Sequence, residues 1–176
     1  MATLEKRWTL EELQRLPDDG NRYEVVRGEL FVTPAPRRNH EIILARLHDM
    51  LTSFVRANNL GLVFHRAIIR FDGSQVEPDL VVQQAHFIGE ANWDTAPTPI
   101  LVVEVLSDVT RRRDLGAKRV LYLDAGVAEY WVIDEEAKRV RVIRKGLADV
   151  VVTGEMRWRP VTAAETLEFD VASLFA

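Results

Sequence analysis

Apolar residues recur along this chain in two periods, and the switches between them divide it into elements. Leu10, Leu13 and Leu16 follow Thr9, with Glu12 three residues after the threonine. That is a capping-box pattern, so a short helix is expected here, closed by Pro17 and Gly20. YEVVRGELFV alternates around Arg27-Gly28 and predicts a β-hairpin, which Pro34 and Pro36 break off. From about Asn39 to Asn58, the residues Ile42, Ile43, Leu47, Leu51, Phe54 and Val55 fall at helical spacing and predict a long amphipathic helix. LVFHRAIIRF reads as one strand, DGSQ as a turn and DLVVQQ as the next strand, an arrangement that brings Asp79 close to the end of the strand before it. Residues 84 to 99, with Trp93, Pro97 and Pro99, read as irregular.

ILVVEVLS is continuously apolar except for one acid, as expected of a strand covered on both faces. A helix is predicted from about Arg111 to Ala125, with Gly126 in the left-handed cap position, followed by the buried strand EYWVID. RVRVIRKG, ADVVVT and TLEFDVASLF predict a meander and a final short element. Helices interleaved with strands and hairpins imply an α/β fold with a mixed sheet.

Length and composition narrow the picture. The 176 residues, 47% of them hydrophobic, suit one well-filled core and fall short of two ordinary domains, so a single domain over 1–176 is expected. Lys and Arg number 23 against 27 Asp and Glu, for a formal net charge of -4, and no global positive field draws the chain to nucleic acid. Contact with an anionic polymer would need a local patch. The absence of cysteine excludes disulfides, thiolate metal sites and cysteine nucleophiles. The first residues carry acids and lack a long apolar run, so a cytoplasmic protein with no membrane partner is expected.

Candidate chemistry centres on the acids placed against apolar strands. Glu104 alternates onto the face of Ile100, Val102 and Leu106, away from Leu101, Val103 and Val105. A carboxylate there costs several kcal/mol unless cations or donors meet it, so roughly that much must be supplied by a partner. The partner is either a structural ion pair or an exposed sheet edge on one reading, and a metal or catalytic role on the other. Asp79 follows Pro78 and by itself suits a turn. Its company changes that, because Glu77 shares its face and the strands carrying Asp79 and Glu104 can lie side by side. Two converging carboxylates make a hard oxygen site suited to Mg²⁺ or Mn²⁺ with a phosphate-bearing substrate.

In TRRRDLGAKRVLY, Asp114, Lys118 and Tyr122 share one helical face, and the first two alone would suit an exposed ion pair. Arg111, Arg112 and Arg113 oppose the helix dipole in a first turn, which suggests either a phosphate seat or a solvated loop. Glu24 in the first hairpin suits the wet face of a strand, and His40, after Arg37 and Arg38, suits a helix-end surface. No His-x-x-x-His spacing, Walker loop, dinucleotide fingerprint or G-x-S-x-G elbow occurs.

The succession RYEVVRGEL, PAPRRNH, VEPDLVV, LVVEVLS and RRDLGAKRVLYLDAGVAEYWVID resembles the Uma-two family of proposed restriction endonucleases, within the PD-(D/E)xK nuclease superfamily. The likeness runs from about Leu10 to Phe175. It implies a restriction-endonuclease-like mixed β-sheet flanked by helices, with N-terminal and C-terminal antiparallel hairpins. It also implies a divalent cation, Mg²⁺ or Mn²⁺, at one end of the sheet and hydrolysis of phosphodiester bonds, most readily in DNA, with RNA not excluded. By position, Asp79 stands at the aspartate of the Pro-Asp motif and Glu104 at the second acid, the pair expected to hold the metal. Leu106 occupies the usual lysine position, and Lys118 matches the lysine that this family carries on the following helix. Glu24 and His40 match the family's hairpin acid and helix-start histidine. Tyr122 and Arg111 to Arg113 are then expected to position the nucleic-acid backbone. Glu77, Asp108 and Ala117 depart from the residues common at their places. A homodimer is expected from the superfamily's habits and the apolar C-terminal segment. The competing expectation is a catalytically silent fold serving as a nucleic-acid-binding or protein-interaction module.

Overall fold

The computed structural model describes residues 6–84 and 96–176. Trp93 and most of the stretch expected to be irregular lie outside them. Helix α1 (Leu10–Leu13) begins at the expected capping box: Glu12 N–H donates to Thr9 Oγ1 at 3.2 Å, and Thr9 N–H donates to Glu12 Oε2 at 3.0 Å. Strands β1 (Arg22–Val26) and β2 (Glu29–Thr33) form the predicted hairpin, with Arg27 and Gly28 both at positive φ in the turn. Two successive left-handed residues give the turn a twist that matches the strands it joins. Helix α2 (Arg38–Ala57) is the long amphipathic helix, and its buried side chains are Ile43, Leu44, Leu47, Leu51, Phe54 and Val55.

The single strand expected over LVFHRAIIRF is two. Strand β3 (Gly61–His65) ends at Arg66, whose φ of 54° turns the chain, and β4 (Ile69–Phe71) then runs in a different sheet. β4 pairs with β5 (Ser74–Val76) across a turn at Asp72-Gly73, and only afterwards does β6 (Leu80–Gln84) return to pair with β3. Asp79 nevertheless lies where it was expected, since its carbonyl accepts from Arg66 N–H at 3.2 Å, at the end of β3.

Strands β7 (Leu101–Val105), β8 (Glu129–Asp134), β9 (Arg139–Ile143) and β10 (Val150–Val152) complete a six-stranded mixed sheet in the order β10-β9-β8-β7-β6-β3. Among the described residues, the β7–β8 pairing alone is parallel in this sheet. The connection across that parallel pair carries helices α3 (Arg111–Leu115) and α4 (Ala117–Asp124), which replace the one helix expected from 111 to 125. Gly116 divides them because a Cβ at this position would lie 2.7 Å from the carbonyl oxygen of Arg112. Gly126, at φ +83°, caps the second helix as predicted.

Alternation along the central strands sorts the core into two layers. Leu101, Val103 and Val105 of β7, with Trp131 and Ile133 of β8, face α2 and the C-terminal hairpin, β11 (Glu155–Trp158) and β12 (Leu167–Asp170). Val102 and Leu106, with Tyr130 and Val132, face α4 and the smaller sheet, ordered β2-β1-β5-β4. The final short element is a 3-10 turn, Val171–Leu174, whose Val171 and Leu174 are buried in the chain's own core. Two apolar side chains of the C-terminal segment are thus used internally. Among the described residues, no helix is long and apolar enough to cross a membrane.

Candidate active site

The antiparallel pairing of β6 with β7 sets Leu80 opposite Val103, so Asp79 and Glu104 stand one step further along adjacent strands. Asp79 is tied to the strand of Glu104 by the backbone, since Val105 N–H donates to Asp79 Oδ2 at 2.8 Å. The same carboxylate receives Arg22 Nη1 on Oδ1 at 3.0 Å and lies 3.2 Å from His40 Nε2 through Oδ2. The two layers on the second face of the sheet bring in the remaining groups. From α4, Lys118 Nζ lies 2.6 Å from Glu104 Oε1 and 2.7 Å from Glu24 Oε1, and Tyr122 donates its hydroxyl to Glu104 Oε1 at 2.9 Å. Glu24 Oε1 also accepts from Glu77 N–H at 2.8 Å. Arg113 Nη1 lies 3.1 Å from Glu24 Oε2, and Arg113 Nε donates to Asp114 Oδ1 at 3.2 Å.

Glu24 and Lys118 are 0% exposed, Glu104 and Asp114 1%, and Asp79 2%. Glu24 is therefore not the wet face of a strand, and Asp114 with Lys118 is not an exposed helix pair. Burying these charges is tolerable only because they meet one another. Among the described residues, the four carboxylates Glu24, Asp79, Glu104 and Asp114 face three permanent cations, Arg22, Arg113 and Lys118. The shortfall falls on Glu104. Burial pushes its carboxyl up and Lys118 pulls it down, while Asp114, Asp79 and Glu24 push it up again, leaving it at about 7. Burial also opposes ionisation of Asp79, but the hydrogen bond from His40, the charge of Arg22 and the Val105 N–H outweigh it and hold that carboxyl well below the usual range. Lys118 keeps its proton because Glu104 and Glu24 outweigh the burial that works against its charge.

The three arginines expected to form one phosphate seat are not gathered. Arg111 makes a two-pronged contact with Asp134 at 3.1 and 3.2 Å, and Arg113 turns inward onto Glu24. Arg112 remains exposed. Tyr122 is fully buried against Glu104 and does not reach a surface where nucleic acid could lie. His40 is not the plain surface residue its position suggested, since it bonds Asp79. Arg22 was missed from the sequence, although it stands two residues before Glu24 and so shares its strand face. Asp79 and Asp114 line a cleft of 630 Å³ whose wall also includes Arg22, His40, Ser107 and Arg111, whereas Glu24, Glu104 and Lys118 are buried behind it.

The donor chemistry suits a hard divalent cation. Mg²⁺ and Mn²⁺ take one or two protein carboxylates and fill the remaining positions with water and phosphate. Here the carboxylates outnumber the permanent cations, and Glu24 Oε2, ion-paired with Arg113 at 3.1 Å, accepts no directed hydrogen bond among the described residues. No group of three acidic or histidine side chains is already assembled as a ligand set among those residues, so binding would draw on Asp79 and Glu104 by exchange of their present partners.

A family model described as "Uma2: putative restriction endonuclease" matches residues 10–172. The chain belongs to this family. A crystal structure described as a "putative nuclease belonging to DUF820" from Anabaena variabilis ATCC 29413 has the same fold, with a TM-score of 0.81 at 23% identity over 96% of this chain and 97% of that one. No curated protein matches. The Uma2 assignment accords with the order of motifs in the sequence, and the shared fold accords with the mixed sheet and its flanking hairpins.

Proposed function

We propose that this Uma2 protein is a divalent-metal-dependent endonuclease that hydrolyses phosphodiester bonds in DNA. The observation that carries the reading is the contact between Lys118 and Glu104, 2.6 Å apart, on the strand beside Asp79. A lysine from the following helix thereby meets Glu104 together with Glu24, while Asp79 on the neighbouring strand is held by Arg22 and His40. Asp79 and Glu104 would hold Mg²⁺ or Mn²⁺. Such a cation neutralises charge on a scissile phosphate and acidifies a bound water. Lys118 stays protonated within reach of Glu104, where a fixed positive charge favours developing oxyanion character in a site shielded from solvent. Glu24 holds the ammonium in place from the opposite side, and Tyr122 fixes the Glu104 carboxylate. His40 orients Asp79, and exposed Arg112 is available to the nucleic-acid backbone.

The test is plasmid nicking by purified protein in Mg²⁺ or Mn²⁺. Glu104→Gln is expected to lower the rate by at least about a hundredfold, the scale of losing a metal or oxyanion contribution. Full nicking by that variant refutes the assignment, and an RNA substrate run in parallel separates the two nucleic acids.

One observation favours the silent-fold reading: both Asp79 oxygens already have protein partners, Arg22 on one and Val105 N–H with His40 on the other. A fold whose acids serve only to neutralise internal cations would show neither nicking nor a response to Mn²⁺.

A further inference from the structure

Two arginines of this molecule show what a structural ion pair looks like here. Arg111 meets Asp134 with Nη1 and Nη2 on separate oxygens, and Arg119 meets Asp149 in the same way at 2.6 and 2.8 Å. This parallel fork is the strong geometry for a guanidinium and a carboxylate. Arg22 does not use it. Its bonds to Asp79 Oδ1, at 3.0 Å, and to the Glu77 carbonyl, at 2.9 Å, both leave from Nη1. A guanidinium has five N–H donors. Two point at the protein, and those of Nη2 and Nε meet no partner among the described residues, although the side chain is only 10% exposed. Arg22 lines the cleft together with Asp79.

We propose that the open Nη2–Nε edge of Arg22 is the seat of a phosphate oxygen pair of the nucleic-acid substrate, placed beside Asp79. The inference rests on the nuclease reading and names a ligand for its substrate. The carbonyl of Glu77 and the carboxylate of Asp79 fix the guanidinium through Nη1 at the wall of the cleft, so it has little freedom left to lose on binding. The charge is permanent: burial works against it, but Asp79, Glu104 and Glu24 outweigh burial and raise the pKa of Arg22. A planar fork suits the tetrahedral phosphate, whose two non-bridging oxygens accept parallel N–H bonds. The arrangement also explains why Asp79 is met by one guanidinium nitrogen instead of two.

The experiment is fluorescence-anisotropy binding of a fluorescein-labelled duplex oligonucleotide without divalent metal, over a salt series, for wild type, Arg22→Gln and Arg22→Lys. Mn²⁺-induced thermal shifts of the same proteins are measured beside it. Arg22→Gln is expected to weaken binding about tenfold or more and to reduce the slope of log K against log salt by about one. It is also expected to keep its Mn²⁺ shift. Arg22→Lys is expected to keep the salt slope while still binding several-fold more weakly than wild type, because the charge remains and the fork does not. Unchanged affinity in Arg22→Gln overturns the proposal, as does loss of the Mn²⁺ shift together with affinity, which would make Arg22 a support for Asp79 only. If Arg22→Gln fails to fold, Arg22→Lys decides alone, and wild-type affinity in it overturns the proposal. Nicking by wild type with unaltered binding in the variants sinks this inference and leaves the nuclease reading intact. Neither binding nor nicking by wild type sinks both.

Discussion

At Glu104 several effects compete, and their sum gives a measurable pH dependence. Burial raises the pKa, Lys118 opposes it, and the neighbouring acids restore the rise to about 7, against 4.5 for an ordinary glutamate. Between those values the native chain binds more protons than the unfolded one, so stability is fully present below 4.5 and falls as pH rises through 7. The integrated loss is on the order of 3 kcal/mol. His40 acts with the same sign, since its pKa is raised above 6.5 by Asp79 and Glu41 despite burial. Asp79 acts oppositely, but its contribution is already complete above 3.8. Urea unfolding of the metal-free protein is therefore expected to show declining stability from about pH 4.5 to 7, and Glu104→Gln is expected to flatten most of that decline. The His40 window opens only above 6.5, so a slope as steep in the variant as in wild type below that pH would contradict the assignment to Glu104. Lys118→Met is the harsher change, because it strips Glu104 and Glu24 of the ammonium they share in a fully buried setting. A loss of about 3–5 kcal/mol is expected in the same assay.

The joint between α3 and α4 decides where Lys118 points. Those helices meet at Gly116, and the break comes from a backbone approach that a side chain would obstruct. Gly116→Ala would place a methyl 2.7 Å from the Arg112 carbonyl oxygen, so backbone must shift. The expected cost is about 1–3 kcal/mol, as for other overpacked sites. Gly126→Ala provides the comparison. At φ +83° it strains the backbone, yet its new methyl would meet nothing within 4 Å, so about 1 kcal/mol is expected. Chemical denaturation of both variants checks the order, and a smaller loss at 116 than at 126 would contradict the steric account. The other revised element, the split between β3 and β4 at Arg66, has the same character. A single residue at φ 54° sends one apolar run into two sheets. Periodicity reports that the residues on either side are apolar and alternate, but a reversal at an arginine carries no Gly or Pro to signal it.

Across the whole molecule, the sheet, the long helix and the small sheet assemble a charged cluster that a bound cation would stabilise. Mn²⁺ is expected to raise the thermal midpoint of wild type, corresponding to about 2.7 kcal/mol at a hundred times its dissociation constant. Glu104→Gln and Asp79→Asn are expected to lose the shift, and an equal shift in all three proteins would place any Mn²⁺ elsewhere. Much of the architecture was legible beforehand. The capping box at Thr9, the Arg27-Gly28 hairpin, α2, the buried strands β7 and β8 and the cap at Gly126 rest on local patterns, and local patterns are what a chain records in its own order. The isolated acid in LVVEVLS also required a buried partner on physical grounds alone. The partner's identity and the arrangement around it were decided only on folding. Arg22 reaches Asp79 across 57 positions and Lys118 reaches Glu104 across 14. Arg113 turns inward because Glu24 lies under it, and Tyr122 is buried because β7 covers its hydroxyl with a carboxylate. Sequence spacing fixes which residues share a face of one strand or helix. Which faces meet, and which charges then lose water and must neutralise one another, is set by packing between elements far apart in the chain.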